Sequence, residues 1–428
     1  MKRDPGSCQP ASVAQTSPNI SGEKMRVLIV HNRYQQRGGE DAVVDAEAGL
    51  LAARGIEVER LDADNEFIQG AWAKIQVSVR QLAGSRDMRH RLDRTLKRFR
   101  PDVVHVHNWF PTVSASIFRQ CKAANIPIVH TIHNYRLLCV GATLFRDGHV
   151  CEDCIGSTFR TAGIVHKCYR SSILGSAVCT GGMLAHWTAG TWQHSVDRFI
   201  ALTEFSRRKL IEGGLPQDKI VVKPNFVEPA PQPGSGNGNY FLFAGRLTEE
   251  KGLRTLIECW KNGPELAPLR IVGEGPLQDE VRKAAAGLSN VHLLGMKSNE
   301  EVVFLMKNAK ATLCPSLWYE GMPRVVIESL AVGTPVVAAN IGGYPEMIVD
   351  GESGALCGCG DAGALLRCIR ELEEKAAFPR MRSQARLRFL AEYTGEKNFS
   401  VLLNIYRNAT YPGSSAFPIP ASPGTCPL

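Results

Sequence analysis

Short apolar runs that alternate with helix-length stretches constrain this chain more than any other feature. Arg-Val-Leu-Ile-Val, directly after Met25, gives way to polar and glycine residues and then to a helix-like stretch from Asp41 to Arg54. Val103 to Val106, Ile128 to Thr131 and Phe199 to Leu202 repeat the pattern. Strands separated by helices pair in parallel through crossovers, so the pattern predicts a parallel sheet covered on both faces. The alternation stops between Glu228 and Asn239, a proline- and glycine-rich segment with no apolar period that reads as a linker. It resumes with Tyr240 to Ala244, Leu269 to Val272, Val291 to Leu294, Ala311 to Cys314 and Pro335 to Ala338. The expectation is an α/β chain with two doubly wound domains facing a central cleft, and 428 residues are too many for one ordinary core.

The boundaries follow. Residues 1–24 and 411–428 are rich in Pro, Ser and Gly and read as disordered tails. The first domain spans 25–228, with a cysteine-bearing insertion at about 136–172; the linker is 229–239 and the second domain 240–392.

Charge narrows the partners. A formal charge of +8 over 428 residues is below what a dedicated nucleic-acid binder carries, so no nucleic acid is expected. An anionic substrate or membrane surface suits it better. Arg86, Arg89, Arg91, Arg94, Lys97, Arg98 and Arg100 concentrate the excess, either as a solvated helix face or as peripheral contact with anionic lipid. The start of the chain lacks the pattern of a secretory signal, which places the thirteen cysteines in a reducing cytoplasm, with the inner membrane face as the peripheral alternative. Ile173 to Trp192 is interrupted by Gly181, Gly182 and His186 and reads as a packed helix, not a membrane span.

Ligands of doubly wound sheets bind beyond the carboxyl ends of the strands. There, after Tyr240 to Ala244, stands Gly-Arg-Leu-Thr-Glu-Glu-Lys-Gly at 245–252. Cations are unfavourable at a helix start unless an anion is close, so Arg246 and Lys251 point to a clamp on a diphosphate leaving group, whose charge grows in the transition state. A second constellation runs from Ser316 to Glu328. Glu320 lies in the loop after a strand, the amides of Gly321 and Met322 precede a helix opened by Pro323 and closed by Gly333, and Glu328 lies within that helix. One carboxylate can hold sugar hydroxyls while the other reaches a ribose.

These residues resemble glycosyltransferase family 4, the group 1 transferases of GT-B fold with two Rossmann-like domains. Gly245 to Gly252, Val-Gly-Glu-Gly-Pro at 272–276 and the E-x7-E element from Glu320 to Glu328 carry the likeness, which runs from about Met25 to about Arg407. It implies that Arg246 and Lys251 contact the donor diphosphate, Glu320 the donor sugar and Glu328 the ribose, with Glu274 in the loop that selects the base. It also implies retention of anomeric configuration without a catalytic metal or other required cofactor, and a chain that crosses back to the first domain over 393–410. The substrates implied are a nucleotide-diphosphate sugar and a saccharide or lipid-linked acceptor, most naturally in bacterial surface polysaccharide synthesis.

On the acceptor side, Gly38 and Gly39 between the first strand and helix let backbone approach a ligand or form a plain turn. His105, His107, His130 and His133 cluster at two strand ends, and spacing alone does not choose between His130 and His133. The resemblance makes His133 the active-site histidine. Cys139, Cys151, Cys154 and Cys168 have a spacing open to a structural zinc site or to reduced or redox-labile thiols. Two other functions remain open on this scaffold: a nucleotide-sugar 2-epimerase, and a non-catalytic protein that binds a sugar nucleotide or a partner.

Overall fold

The apolar runs become short strands buried on both faces, as parallel strands between helices must be. In this computed structural model, residues 24–33, 38–63 and 86–411 are described. The tails expected at 1–24 and 411–428 therefore lie outside the described residues except for Lys24 and Tyr411, as does Arg37.

The first half contains β1 (Arg26–Asn32), β2 (Glu57–Ala63), β3 (Val103–Asn108), β4 (Ile128–Thr131), the hairpin β5 (Phe145–Arg146) and β6 (His149–Val150), β7 (Arg198–Ala201) and β8 (Ile220–Val222). Without the hairpin these form one six-stranded parallel sheet in the order β2-β1-β3-β4-β7-β8. The second half contains β9 (Phe241–Ala244), β10 (Leu269–Val272), β11 (Val291–Gly295), β12 (Thr312–Cys314), β13 (Val336–Ala339) and β14 (Gly354–Cys357), ordered β11-β10-β9-β12-β13-β14 and again parallel. Strand order reverses beside β1 and β3 in the first sheet and beside β9 and β12 in the second. Crevices for ligands open at such points, and the reversals thus name four loops before any side chain is considered.

One face of the first sheet packs Leu28, Val30, Val104 and Val106 against Leu92, Phe118 and Trp192. The other packs Val27, Ile29, Val103 and Val129 against Val44 and Leu51 of the helix Gly39–Ala53, and against Leu402, Ile405 and Tyr406. Those last three belong to the helix Gly395–Thr410, so the end of the described chain returns from the second domain to complete the core of the first. The second sheet has Phe241, Trp260 and Phe378 on one face and Leu242, Met306 and Val332 on the other.

Two sequence readings need adjusting. The first helix starts at Gly39, not Asp41, because the Asp41 carboxylate accepts from the Gly38 amide at 2.8 Å and starts the helix early. The stretch Ile173 to Trp192 is two helices, Ile173–Thr188 and Thr191–Ser195, broken where Gly190 takes a left-handed φ of 62°. Its first residues are not packed: Ile173 is 56% and Leu174 66% exposed. The linker is strapped down by its backbone. Gly234, Gly236 and Gly238 donate amides to Val332, Lys307 and Asn308 carbonyls at 2.8–2.9 Å, a backbone ladder that needs no apolar period. Among the described residues no helix is long and apolar enough to cross a membrane. The basic helix, Arg86–Phe99, buries Met88, Leu92 and Leu96, and part of its charge is engaged by β2, where Arg91 donates to the Asp62 carbonyl and Arg98 pairs with Glu59.

Candidate active site

The loops at the second reversal point bring most of the donor-side residues together. After β9 the chain turns through Arg246 to Lys251, and after β12 through Ser316 to Pro323. Lys251 Nζ donates to Glu320 Oε1, which also accepts from the Ser316 hydroxyl at 3.2 Å, and the ammonium lies 5.6 Å from the Trp318 ring centre. Glu320 is buried, whereas the Arg246 side chain is 68% exposed and touches an anion only at 3.6 Å, through Glu250. Arg246 is thus a largely uncommitted cation beside a buried ion pair. Glu328 faces Arg324 one turn earlier on the helix Arg324–Ala331, at 2.8 Å. Glu274 is exposed, and its contribution to the loop is a carbonyl that accepts from Leu247 at 2.9 Å. Gly273, just before it, has φ 128° and lies so close to Gly245 that a Cβ would fall 2.0 Å from the Gly245 carbonyl oxygen, so only glycine lets the two donor loops meet.

On the first domain the four histidines separate by role. His130 donates from Nδ1 to the Val106 carbonyl at 2.9 Å and lies among Phe118 and Phe199, so it is a core residue. His133, beyond the end of β4, is half-buried, with Nε2 3.0 Å from His107 Nδ1. Behind them lies a carboxylate that sequence reasoning missed. Glu47 is 0% exposed and stands 3.0 Å from His105, 3.1 Å from His107 and 2.9 Å from Lys223. A signal for it was present: Glu47 sits one helical turn after Val43 and one before Leu51, on the buried face, where a charge requires a partner. His105 also meets Thr131 at 2.7 Å and Tyr406 at 2.8 Å, which ties the cluster to the returning helix.

Electrostatics fix the protons. Burial pushes the Glu47 carboxyl up, but Lys223, His105 and His107 outweigh it and hold it well below the usual carboxylate range. Burial lowers His107 to about 3 and, with His107 beside it, holds His133 well below 6.5. A carboxylate only accepts, so the His107 nitrogen facing Glu47 carries the ring proton, although it approaches off the line of a good hydrogen bond. His107 Nδ1 is then an acceptor, and His133 donates to it from Nε2. His133 Nδ1 is left without a proton.

This arrangement predicts acid sensitivity. The unfolded chain takes up protons at His107 and His130 near 6.5, whereas the folded chain takes them up only near 3 and 4. Proton uptake therefore favours unfolding, and stability is complete above 6.5 and declines as pH falls below it. Each histidine contributes about 1.4 kcal/mol per pH unit in that window. Urea unfolding at pH 7.5 and 5.5 should differ by about 2–3 kcal/mol. Equal midpoints and slopes at the two values would mean that the histidines are not held neutral.

The two domains meet across these loops. Thr203 donates to the Gly321 carbonyl at 3.2 Å, and a Cβ at Gly321 would lie 4.0 Å from the His133 carbonyl oxygen. Met322 accepts at its sulfur from the Asn225 amide, 3.1 Å away. Gly39 faces Arg324, with 3.7 Å between its would-be Cβ and Arg324 Cδ. Gly38 and Gly39 thus end up beside the helix that Pro323 opens, and the glycine turn, His133 and the Glu320 loop border one cleft. Two further residues escaped the sequence reading. Gly343 donates to the Glu320 carbonyl at 2.8 Å, and a Cβ there would fall 2.4 Å from the Gly321 oxygen. Glu346 accepts from the amides of Glu204 and Phe205 at 2.6 and 2.5 Å, capping a first-domain helix, Glu204–Glu212, from the second domain. Among the described residues, the three-ligand group whose atoms lie within 4.8 Å of one another is Glu47, His105 and His107, where Lys223 already supplies the cation.

The chain is similar to known proteins along most of its length. Residues 37–230 match the family model described as Glycosyltransferase Family 4, and residues 228–388 match Glycosyl transferases group 1. The chain is 27% identical over 413 residues to a phosphatidyl-myo-inositol mannosyltransferase of Mycobacterium leprae, covering 91% of this chain and 98% of that protein. It is 27% identical over 324 residues to a glycogen synthase of Mycobacterium tuberculosis, covering 73% and 70%. Among solved structures, Anabaena Alr3699/HepE in complex with UDP and glucose superposes with a TM-score of 0.62 at 16% identity, over 89% of this chain and 98% of that one.

Proposed function

Since the chain is a glycosyltransferase of the group 1 and family 4 class with the GT-B fold, we propose that it moves a sugar from a nucleotide-diphosphate sugar to a saccharide or lipid-linked acceptor, with retention of configuration, in bacterial surface polysaccharide synthesis. The observation that carries this reading is the pairing of Lys251 with buried Glu320 beside exposed Arg246 at the reversal between β9 and β12. A donor diphosphate replaces Glu320 as the partner of Lys251 and engages Arg246. Glu320, released, accepts hydrogen bonds from the sugar hydroxyls, while Glu328 holds the ribose.

In the step itself the bond between the anomeric carbon and the β-phosphate oxygen breaks as the acceptor oxygen forms its bond on the same face. The departing phosphate takes the acceptor proton, and Arg246 and Lys251 meet the charge that grows on it, which is where fixed cations lower the barrier. His133 borders the same space from the first domain and, with Nδ1 unprotonated, can accept a hydrogen bond from the sugar but cannot donate one. No metal is required by this scheme, because the two cations neutralise the diphosphate.

A lipid-linked acceptor would be met at a membrane surface. Phe159, Val165, Ile173 and Leu174 are 56–71% exposed on the insertion and its following helix, next to exposed Lys167 and Arg170. Apolar side chains flanked by cations suit the surface of an anionic bilayer.

Binding of nucleoside diphosphates and nucleotide sugars, read by thermal shift, tests the donor side, since a ligand that binds only the folded chain raises its apparent stability. One base should stabilise the protein, and Arg246→Ala should reduce that response at equal ligand concentration. A folded protein that responds to none of them overturns the reading. Incubation of the responding nucleotide sugar without acceptor separates transfer from epimerisation, because only an epimerase would convert it to an isomer.

A further inference from the structure

The recess beside His133 holds a cation that the donor half of the reaction does not use. Asn108, Trp109, Asn134 and Arg136 line it together with His107 and His133, and its volume of about 20 Å³ admits one water or one polar group of that size. Arg136 is half-buried, three residues past His133. Its backbone amide donates to the Asn134 side-chain oxygen at 3.0 Å, which fixes the turn that carries it. Its guanidinium lies over the Phe110 ring, with Cζ 3.9 Å from the ring centre. Among the described residues that guanidinium has no carboxylate partner and no hydrogen-bond acceptor.

Other arginines with little exposure spend their donors inside the protein. Arg160 donates to the carbonyls of Leu137, Leu138 and Thr158, and Arg382 to those of Lys307 and Ala309. Arg136 keeps all five N–H groups. None of its nitrogens is sealed from solvent, so a ligand can reach them. A guanidinium stacked on a ring is held in one plane while its edge stays open. That is the geometry that takes a phosphate through two parallel hydrogen bonds.

Arg136 is the first member of a series that runs outward. Phe110 meets Tyr169 edge to face, with 6.0 Å between ring centres, and the Arg170 guanidinium is 5.5 Å from the Tyr169 ring centre. Arg170 and Lys167 are exposed, and neither has a carboxylate partner among the described residues. The Tyr169 amide donates to Ser176 at 3.0 Å, within the helix that begins at Ile173. Ile173, Leu174 and Val165 are 56–71% exposed, so the series ends in apolar surface. Cys139, Cys151, Cys154 and Cys168 of the same insertion are free thiols, and no three of their sulfurs lie within 4.8 Å of one another. What the insertion offers a ligand is therefore charge followed by apolar side chains.

Resting on the transferase reading, we propose that Arg136 binds a phosphate ester carried by the acceptor, with Arg170 meeting its charge from the outer side, and that the apolar chain esterified to this phosphate lies along Val165, Ile173 and Leu174. The acceptor is then a saccharide joined to a lipid through phosphate. A carboxylate on a soluble sugar would suit Arg136 but would leave Arg170 and the apolar side chains without a role. The donor diphosphate belongs to Arg246 and Lys251 in the second domain, so the two domains each supply one anion site. Charge grows on the donor phosphate during transfer, whereas the acceptor phosphate keeps its charge throughout. Arg136 therefore acts on acceptor affinity and placement, and not on the barrier of the chemical step.

The test is isothermal titration of the full chain with decyl phosphate, inorganic phosphate and decyl maltoside, both amphiphiles held below micelle formation and the donor site filled with the nucleoside diphosphate that stabilises the protein. Decyl phosphate should bind more tightly than either of the others, since each of those lacks one half of the contact. Arg136→Gln should weaken decyl phosphate by about 10- to 100-fold, the loss expected when charge-assisted hydrogen bonds are removed. It should leave the affinity for the nucleoside diphosphate at the parental value, which also shows that the variant is folded. Leu174→Ser, at a position 66% exposed, should weaken decyl phosphate and leave inorganic phosphate unchanged. Decyl phosphate that binds no better than decyl maltoside, or that binds Arg136→Gln as it binds the parent, overturns the proposal. So does equal binding of the two phosphates, which would assign a soluble phosphate ester instead of a lipid. Nucleoside diphosphate binding is read in the same protein, so failure of the donor reading shows separately from failure at Arg136.

Discussion

Replacing Lys251 with alanine is expected to lower the rate of sugar transfer by about 10³-fold, the loss that follows when a fixed donor to developing charge is removed from a water-poor site. The expected loss is in kcat more than in KM, because the diphosphate gains charge only as the glycosidic bond breaks and Arg246 still binds the ground state. The resting pair with Glu320 adds a second, more discriminating result. Glu320 competes with the diphosphate for the same ammonium. In Glu320→Gln that competition is removed, so the free nucleoside diphosphate should bind more tightly than to the parent while transfer falls by a similar large factor. Isothermal titration with the nucleoside diphosphate, set beside initial rates with the nucleotide sugar, reads both. If Glu320→Gln weakens nucleotide binding, or if Lys251→Ala turns over near the parental rate, then the exchange of partners at Lys251 is not how the donor is received.

Both residues were legible in the sequence because they lie in short loops directly after strands, where the position along the chain also fixes the position in space. Glu328, Gly321 and Met322 were readable for the same reason, since Pro323 and Gly333 mark the ends of their helix. The fold class followed from the alternation of apolar runs, and the linker from its prolines and glycines. Unreadable were the contacts between elements far apart in sequence. Glu47 and Lys223 are separated by 176 residues, and Glu346 caps a helix that begins at Glu204; neither link has a local pattern. His130 and His133 could not be ranked from spacing, because the difference between them is what surrounds each ring: Phe118, Phe199 and a carbonyl for one, His107 and the cleft for the other. The exposed Ile173 and Leu174 were misread as packed because composition alone does not say which apolar residues find a neighbour.

The buried pair of Glu47 and Lys223 should give the largest effect on stability. Glu47→Ala leaves Lys223, 1% exposed, with Asn398 as its remaining side-chain partner at 3.2 Å, and should destabilise the chain by about 3–5 kcal/mol in urea unfolding. Lys223→Met should cost less, since His107, 3.1 Å from Glu47, can take up a proton and neutralise the carboxylate in its place. The same uptake would raise the folded-state value of that histidine and flatten the stability loss between pH 7.5 and 5.5. Removing both charges, as Glu47→Leu with Lys223→Met, should recover most of the stability, because an apolar pair of similar size leaves no charge stranded. It should not recover transfer. Without the carboxylate nothing decides which nitrogen of His107 holds its proton, so His133 loses its fixed tautomer and orientation, and misplacement of a cleft residue by about 1 Å is enough to cost about 10²-fold in rate. A double variant that is stable yet slow would separate the structural from the positioning role of Glu47. Parental rates in that variant would show instead that His133 is held by its own loop, and that the buried carboxylate serves the fold alone.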